Sequence, residues 1–306
     1  MKNFLAFLLS AFLVLRCSNP SDSTDKSLKW IAQASGVATA LNQVTWSGSR
    51  FAAVGNSGVI LTSVDGATWS SQVSGTGQNL RGIVWSGTQF VAIGANGTIL
   101  TSANGTAWSA QTSGTTNILE AIVYTGSQFV CAGYAGTMLT LANATSWTAR
   151  TSGTANDLYA LSRTGSQLLA AGNNGTILTS GDGITWTTRT SGSSSLLSGV
   201  SWSGSRFIVV GYNSSTFVPA ILTSTDGVAW SSLTAGNTAI ADVTWSGSQF
   251  LAVGGTTGAG LVIDSLNGLS WSTQNTSITN ILRGVTWSGS QFVTVGANGS
   301  IYTATP

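Results

Sequence analysis

Residues 79–117 read NLRGIVWSGTQFVAIGANGTILTSANGTAWSAQTSGTTN, and nearly the same text recurs from Leu41 almost to the end of the chain. The tryptophan of the Trp-Ser-Gly element falls at Trp46, Trp85, Trp202, Trp245 and Trp287, with Tyr124 and Arg163 in the equivalent places between. The first four steps are 39 residues each, and the next two are 43 and 42. A second tryptophan closes each unit, at Trp69, Trp108, Trp147, Trp186, Trp230 and Trp271. A fixed period of this length marks a solenoid, a propeller or an array, because each unit must bury its apolar face against a neighbour.

Within one unit, turn residues divide the text into four short runs. Residues 82–85 are apolar and end at Ser86-Gly87, and residues 89–93 alternate and end at Gly94. Residues 98–101 are β-branched and end at Asn104-Gly105, and residues 107–112 carry the tryptophan and end at Ser113-Gly114. Such runs read as strands joined by tight turns. Outside the N-terminus no window carries the i, i+3, i+4, i+7 spacing of a helix. Four antiparallel strands repeated at this period predict an all-β, seven-bladed β-propeller of four-stranded blades.

The two ends predict how the ring closes. The last unit stops after its third strand, whereas WIAQASG at 30–36 matches WSSQVSG at 69–75. The N-terminal segment is therefore expected to supply the outer strand of the last blade, which leaves no long unpaired edge. The propeller is expected to span residues 28–306. An open β-solenoid, the alternative, would not need complementary ends.

Residues 1–17 read as a leader: Lys2, an apolar run from Phe4 to Leu15, then Cys17. The run is too short to span a bilayer and has the form of a secretory core. A cysteine directly after it resembles the cleavage site of bacterial lipoproteins, which implies acylation of Cys17. Arg16 departs from the small residue usual there, and ordinary secretion with an incidental cysteine is the other reading. Residues 18–27 form a polar tether. The expectation is an exported, lipid-anchored protein of the cell envelope, at the outer membrane or cell surface, that touches membrane through the anchor only.

Composition narrows the function by exclusion. Only 7% of residues are charged, and without Lys2 and Arg16 the basic residues number the same as the nine acidic ones. No basic patch or stripe supports nucleic-acid binding. The chain has no histidine, so Cys131 lacks a basic partner and reads as a small buried hydrophobe rather than a nucleophile. No metal-ligand spacing, phosphate loop or nucleophile elbow occurs, so neither a metal nor a cofactor is expected.

The turn before each closing tryptophan carries a family resemblance. SVDGATW at 63–69, SGDGITW at 180–186 and STDGVAW at 224–230 share an aspartate followed by glycine, at Asp65, Asp182 and Asp226. Asn104, Asn143 and Asn267 take that place in the other units. The pattern resembles the Asp-box, or BNR-type, repeat of sialidases and of many non-enzymatic propellers. The wider repeat is similar to photosystem II assembly-factor-like and sortilin-like propellers. This turn is a residue shorter than the usual box. Asp or Asn there is expected to cap backbone N–H groups, with Gly taking the positive φ and Trp packing into the blade. A carboxylate ring binding metal is not expected, since half of the complete turns carry asparagine.

The sialidase resemblance implies an arginine cluster, a tyrosine nucleophile with a glutamate partner, and an acid/base carboxylate. Glu120 is the only glutamate, and Asp157, Asp242 and Asp264 are the carboxylates left over by turns and tether. Their spacing favours no catalytic pair. Two departures from the repeat locate a candidate binding face instead. The loop between second and third strands lengthens at 212–219, with Tyr212, Phe217 and Pro219, and at 255–260. The position four before the Trp-Ser-Gly tryptophan reads Asn42, Arg81, Glu120, Tyr159, Ser198, Ala241 and Arg283 around the ring, with Asp242 one residue further in. Arg283, Asn42, Arg81 and Glu120 come from consecutive blades and are expected to form one polar sector at the channel mouth. The reading is a monomeric binding or assembly scaffold for a protein or glycan, the alternative a sialidase-like hydrolase or lectin-like module.

Overall fold

The computed structural model describes residues 28–142, 146–233 and 236–306, so the leader, the tether, Cys17 and Asn143 lie outside the described residues. Seven four-stranded antiparallel sheets form the propeller blades. Blade 1 comprises Leu41–Trp46, Phe51–Gly55, Ile60–Ser63 and Ser70–Gln72, counted from the channel outward.

The second strand of each blade is buried along its first five residues, as in Phe51–Gly55, and only the longer strands of blades 5 and 6 emerge, at Tyr212 and Thr256. Alternate residues serve different neighbours, because successive side chains leave opposite faces of a strand. Phe51 and Ala53 pack with Val293 and Val295 of blade 7. Ala52 and Val54 pack with Leu80, Phe90 and Ala92 of blade 2. The protein thus has no single central core but one apolar layer between each pair of blades. The phenylalanine that opens the second strand is fully buried at Phe51, Phe90, Phe207, Phe250 and Phe292. Each such ring contributes about 1.5–3 kcal/mol by leaving water.

Blade 7 closes as its sequence requires. Ile31–Gln33 pairs antiparallel with Ile301–Ala304, with Ile31 opposite Thr303 and Gln33 opposite Ile301. Leu28 is buried and Trp30 packs against the same cluster as Val285, Phe292 and Ala304. On the far side of the seam, the Gln291 amide of blade 7 donates to the Asp65 carbonyl of blade 1 at 2.8 Å.

The aspartate turn behaves as a backbone cap. Asp65 Oδ1 accepts from the N–H groups of Ala67 and Thr68 at 2.9 and 2.8 Å, Gly66 sits at φ 76°, and the Trp69 indole donates to the Gly66 carbonyl at 2.8 Å. These bonds hold the Asp65 carboxyl down at about 2. Asp182 and Asp226 repeat the pair of bonds, and Asn104 and Asn267 make it with an amide oxygen.

Three expectations need correction. The first strand of blade 2 begins at Leu80 rather than residue 82, because a bulge lets Leu80 pair with Gly94. The 255–260 insertion is not an open loop: strands Phe250–Thr256 and Ala259–Ser265 extend the hairpin until Thr256 faces Ala259. The leftover carboxylates are all engaged, Asp264 with the Gln274 amide at 2.7 Å and Asp157 with the Ala135 N–H at 2.8 Å. Cys131 is fully buried, and burial pushes its thiol well up, as a packing residue requires.

Candidate functional site

Every first strand carries a β-bulge at the same place. The register slips between Leu41 and Gln43, Leu80 and Gly82, Leu119 and Ala121, Leu158 and Ala160, Leu197 and Gly199, Ile240 and Asp242, and Leu282 and Gly284. The extra residues are Asn42, Arg81, Glu120, Tyr159, Ser198, Ala241 and Arg283, the ring of positions that varies in sequence. A bulged residue leaves the ladder and its side chain is re-aimed. Here it is free of packing duty and lines the mouth of the channel. The residues before it are fully buried leucine or isoleucine, which explains why they stay uniform while the bulged position varies.

Asn42, Arg81, Glu120, Tyr159, Ser198, Ala241 and Arg283 line one hollow of about 280 Å³ with Tyr134, Tyr212 and Asp242. Its polar sector is asymmetric. Arg81 Nε lies 3.8 Å from Glu120 Oε1, an ion pair too long for a hydrogen bond, and that nitrogen is buried without a hydrogen-bond partner. Arg283 Nη1 donates to Asn42 Oδ1 at 2.9 Å, while the Asn42 amide nitrogen donates to Asn56 Oδ1 at 3.0 Å and the Leu80 carbonyl at 2.7 Å. Asn42 therefore ties blades 7, 1 and 2 together and orients Arg283.

The charges at the mouth are perturbed by their surroundings. Burial pushes the Glu120 carboxyl up to about 7, against the pull of Arg81, with the Asp157 charge adding to the rise. Burial lowers the proton affinity of Arg283, and the Arg81 charge lowers it further. Burial raises the Tyr159 hydroxyl, with Tyr134 next in effect. Tyr159 lies edge-on to Tyr134 at 5.8 Å and its hydroxyl is 3.5 Å from Asp157 Oδ2.

One layer below the mouth, Asp242 and Gln43 meet across the channel. The Gln43 amide donates to Asp242 Oδ2 at 3.2 Å, as does the Val285 N–H at 3.0 Å, and the Val243 N–H donates to Oδ1 at 2.8 Å. Burial nevertheless raises the Asp242 carboxyl to about 6. A side chain at Gly284 would strike Gln43 Oε1 at 2.6 Å, so glycine makes room for the bridge. Asp242 is thereby a satisfied bridge rather than a free ligand.

The blade 5 loop stands on the same face. Tyr212 pairs with Pro219, and Asn213 Oδ1 accepts from the Ser215 and Thr216 N–H groups to fold the residues between. Phe217 stacks nearly parallel on Tyr212, at 5.9 Å and 12°, and stays half-exposed. Its φ of 58° is unusual for an aromatic residue. The blade 6 hairpin does not line this hollow; Gly260 N–H donates to the Ile278 carbonyl. Sequence reasoning missed Gln43 and Tyr134. Tyr134 was visible, like Tyr212, as an aromatic in a turn position held elsewhere by Asn56, Ala95, Asn173 and Ala297.

Solved structures share this architecture. YCF48 bound to D1 peptide matches with a TM-score of 0.73 at 13% identity, over 92% of this chain and 95% of that one. YCF48 from Cyanidioschyzon merolae matches with 0.70 at 16% identity, over 90% and 98%. The WD40 β-propeller domain of Doa1 matches with 0.73 at 12% identity, over 91% and 96%. No family model matches the chain, and no curated protein does. Identities this low establish the fold and leave function to the site, so the chain is a seven-bladed β-propeller whose variable residues gather at one channel mouth.

Proposed function

We propose that this protein is an exported, lipid-anchored, non-catalytic scaffold that binds a segment of another protein at the channel mouth. The anchor reading rests on the leader and Cys17, and the turn reading on the likeness of its Asp/Asn-Gly turns to the Asp-box. The observation that carries the binding site is the convergence of repeat departures on one face: the bulged residues Arg81, Glu120 and Arg283, and the Tyr212–Phe217 stack beside them. Function in a repeat protein resides where repeats differ, because shared positions are occupied with folding. The hollow combines cationic groups, a carboxyl poised near neutrality and an exposed aromatic ledge, a mixture suited to a peptide chain. YCF48, of the same fold, has been solved bound to D1 peptide.

Catalysis of sialidase type is the second reading, favoured by Arg81, Arg283, Glu120 and Tyr159 sharing one hollow. Against it, the Tyr159 hydroxyl is raised rather than activated, and it sits beside Asp157. The test is a photo-crosslinker placed at residue 217 or, as control, at residue 205 on the opposite face. A protein adduct is expected from 217 alone, and Arg81→Gln with Arg283→Gln should abolish it in a protein that still folds, its melting temperature lowered only modestly by loss of the Arg81–Glu120 pair and the Arg283–Asn42 bond. Adducts from 205 but not 217, or sialoside cleavage abolished by Glu120→Gln, would overturn the proposal.

A further inference from the structure

The face opposite the channel mouth carries an unusual set of exposed apolar groups. It is built from the turns between first and second strands and from the aspartate turns between third and fourth. All twelve tryptophans lie at this end of their strands, and every one is half-buried. Those tryptophans belong to the repeat. Five aliphatic residues on the turns do not: Val64, Ile184, Val228, Leu266 and Leu269. Leu266 is 73% exposed and Val64 63%. The turn needs no large apolar group there, since Gly181 and Thr225 hold the place of Val64 in blades 4 and 5, and Thr106 that of Ile184 in blade 2.

The chain enters the fold at this same face. Leu28, the first described residue, stands two before Trp30 as Ala67 stands two before Trp69, in the turn of blade 1. Ile31 then pairs near the end of the last third strand, opposite Thr303. From Leu28 back to Cys17 is a chain of eleven residues, which reaches at most about 35–40 Å. An anchor at Cys17 would therefore join the fold at this face, within about 35–40 Å of the bilayer.

We infer that the aspartate-turn face is a lipid-docking surface that lies flat on the membrane and presents the channel mouth to the aqueous space. The inference rests on the lipid-anchor reading. The anchor supplies affinity, and the turn aliphatics set orientation. Their distribution fits a planar lipid surface: they are spread over blades 1, 4, 5 and 6 instead of forming the contiguous centre of a protein interface. Tryptophan is suited to this depth, with an apolar ring and a polar N–H at the headgroup level. The charged groups on these turns nearly balance, with Asp65, Asp182 and Asp226 against Lys29, Arg50, Arg163 and Arg206, so no strongly basic patch calls for anionic lipid.

The experiment uses the full chain in phosphatidylcholine vesicles, with a single environment-sensitive fluorophore on Leu266→Cys or on Phe217→Cys. The expected result is a blue shift and several-fold quenching by brominated acyl chains at position 266, with neither at 217. Leu269→Ser combined with Val64→Ser should leave flotation with vesicles intact and reduce the quenching at 266. Four outcomes overturn the inference. Protein that floats with vesicles while the fluorophore at 266 stays unquenched leaves the anchor standing and removes the docking face. A quenched fluorophore at 217 reverses the face. A shift at 266 without lipid, growing with protein concentration, assigns the face to a second copy of this chain. Protein that fails to float removes the anchor reading and this surface with it.

Discussion

Replacing Glu120 by glutamine should stabilise the protein at alkaline pH and leave it unchanged at acid pH. Glu120 has an ordinary value of 4.5 and is held at about 7 in the fold, chiefly by burial. Its side chain is only 14% exposed, so solvent does little to relieve the penalty. Below pH 4.5 the carboxyl is protonated in both folded and unfolded chains and contributes no difference. Between pH 4.5 and 7 the unfolded chain releases its proton while the folded one retains it, and stability falls as pH rises. Above pH 7 the loss is complete. A difference near 2.5 units corresponds to about 3 kcal/mol, with Arg81 already included as the partial offset. Glutamine is nearly isosteric and has no proton to lose. Glu120→Gln should therefore match the parent at pH 4 and exceed it by about 1–3 kcal/mol at pH 8. Asp242, raised to about 6, titrates in both proteins and cancels from the comparison. Urea midpoints at pH 4, 5.5 and 8, read with an unchanged slope, measure the effect. An equal difference at pH 4 and pH 8, or a less stable variant at pH 8, would refute the burial argument.

Other perturbations test the frame. Deleting residues 28–36 removes the outer strand of blade 7 and the buried Leu28 and Trp30, which should cost about 5 kcal/mol or more and cause aggregation. A deletion that melts like the parent in a thermal scan would show that the ring does not depend on this closure. Asp65→Ala should lower the melting temperature by removing the caps of Ala67 and Thr68, whereas Asp65→Asn should largely preserve it, since Asn104 makes the same bonds in blade 2. Gly260→Ala should cost about 1–3 kcal/mol by calorimetry, because its Cβ would meet Ile278 Cγ2 at 2.4 Å and the Asn280 carbonyl at 2.6 Å.

The architecture was legible in the sequence because propeller blades are local objects. Each strand pairs with the next along the chain, so turn residues and alternating side chains suffice to mark all four. Even the long-range closure was legible, since the segment at Trp30 repeats the text missing after the last third strand. The varying ring from Asn42 to Arg283 was legible as well, by its contrast with the uniform strand around it. Its cause was not. A bulge leaves no letter of its own in the sequence, and only the slip between Leu80 and Gly82 shows why the residue between them is free to face the channel. What the side chains do once there was decided entirely by the ring. Asp242 looks like a free carboxylate in the sequence, yet it bonds to Gln43, 199 residues away, and to Val285 in the neighbouring blade. Glu120 reads as an ordinary acid until seven blades close around it and remove the water that would stabilise its charge. Such effects depend on groups brought together by closure from distant parts of the chain, and no local pattern records them.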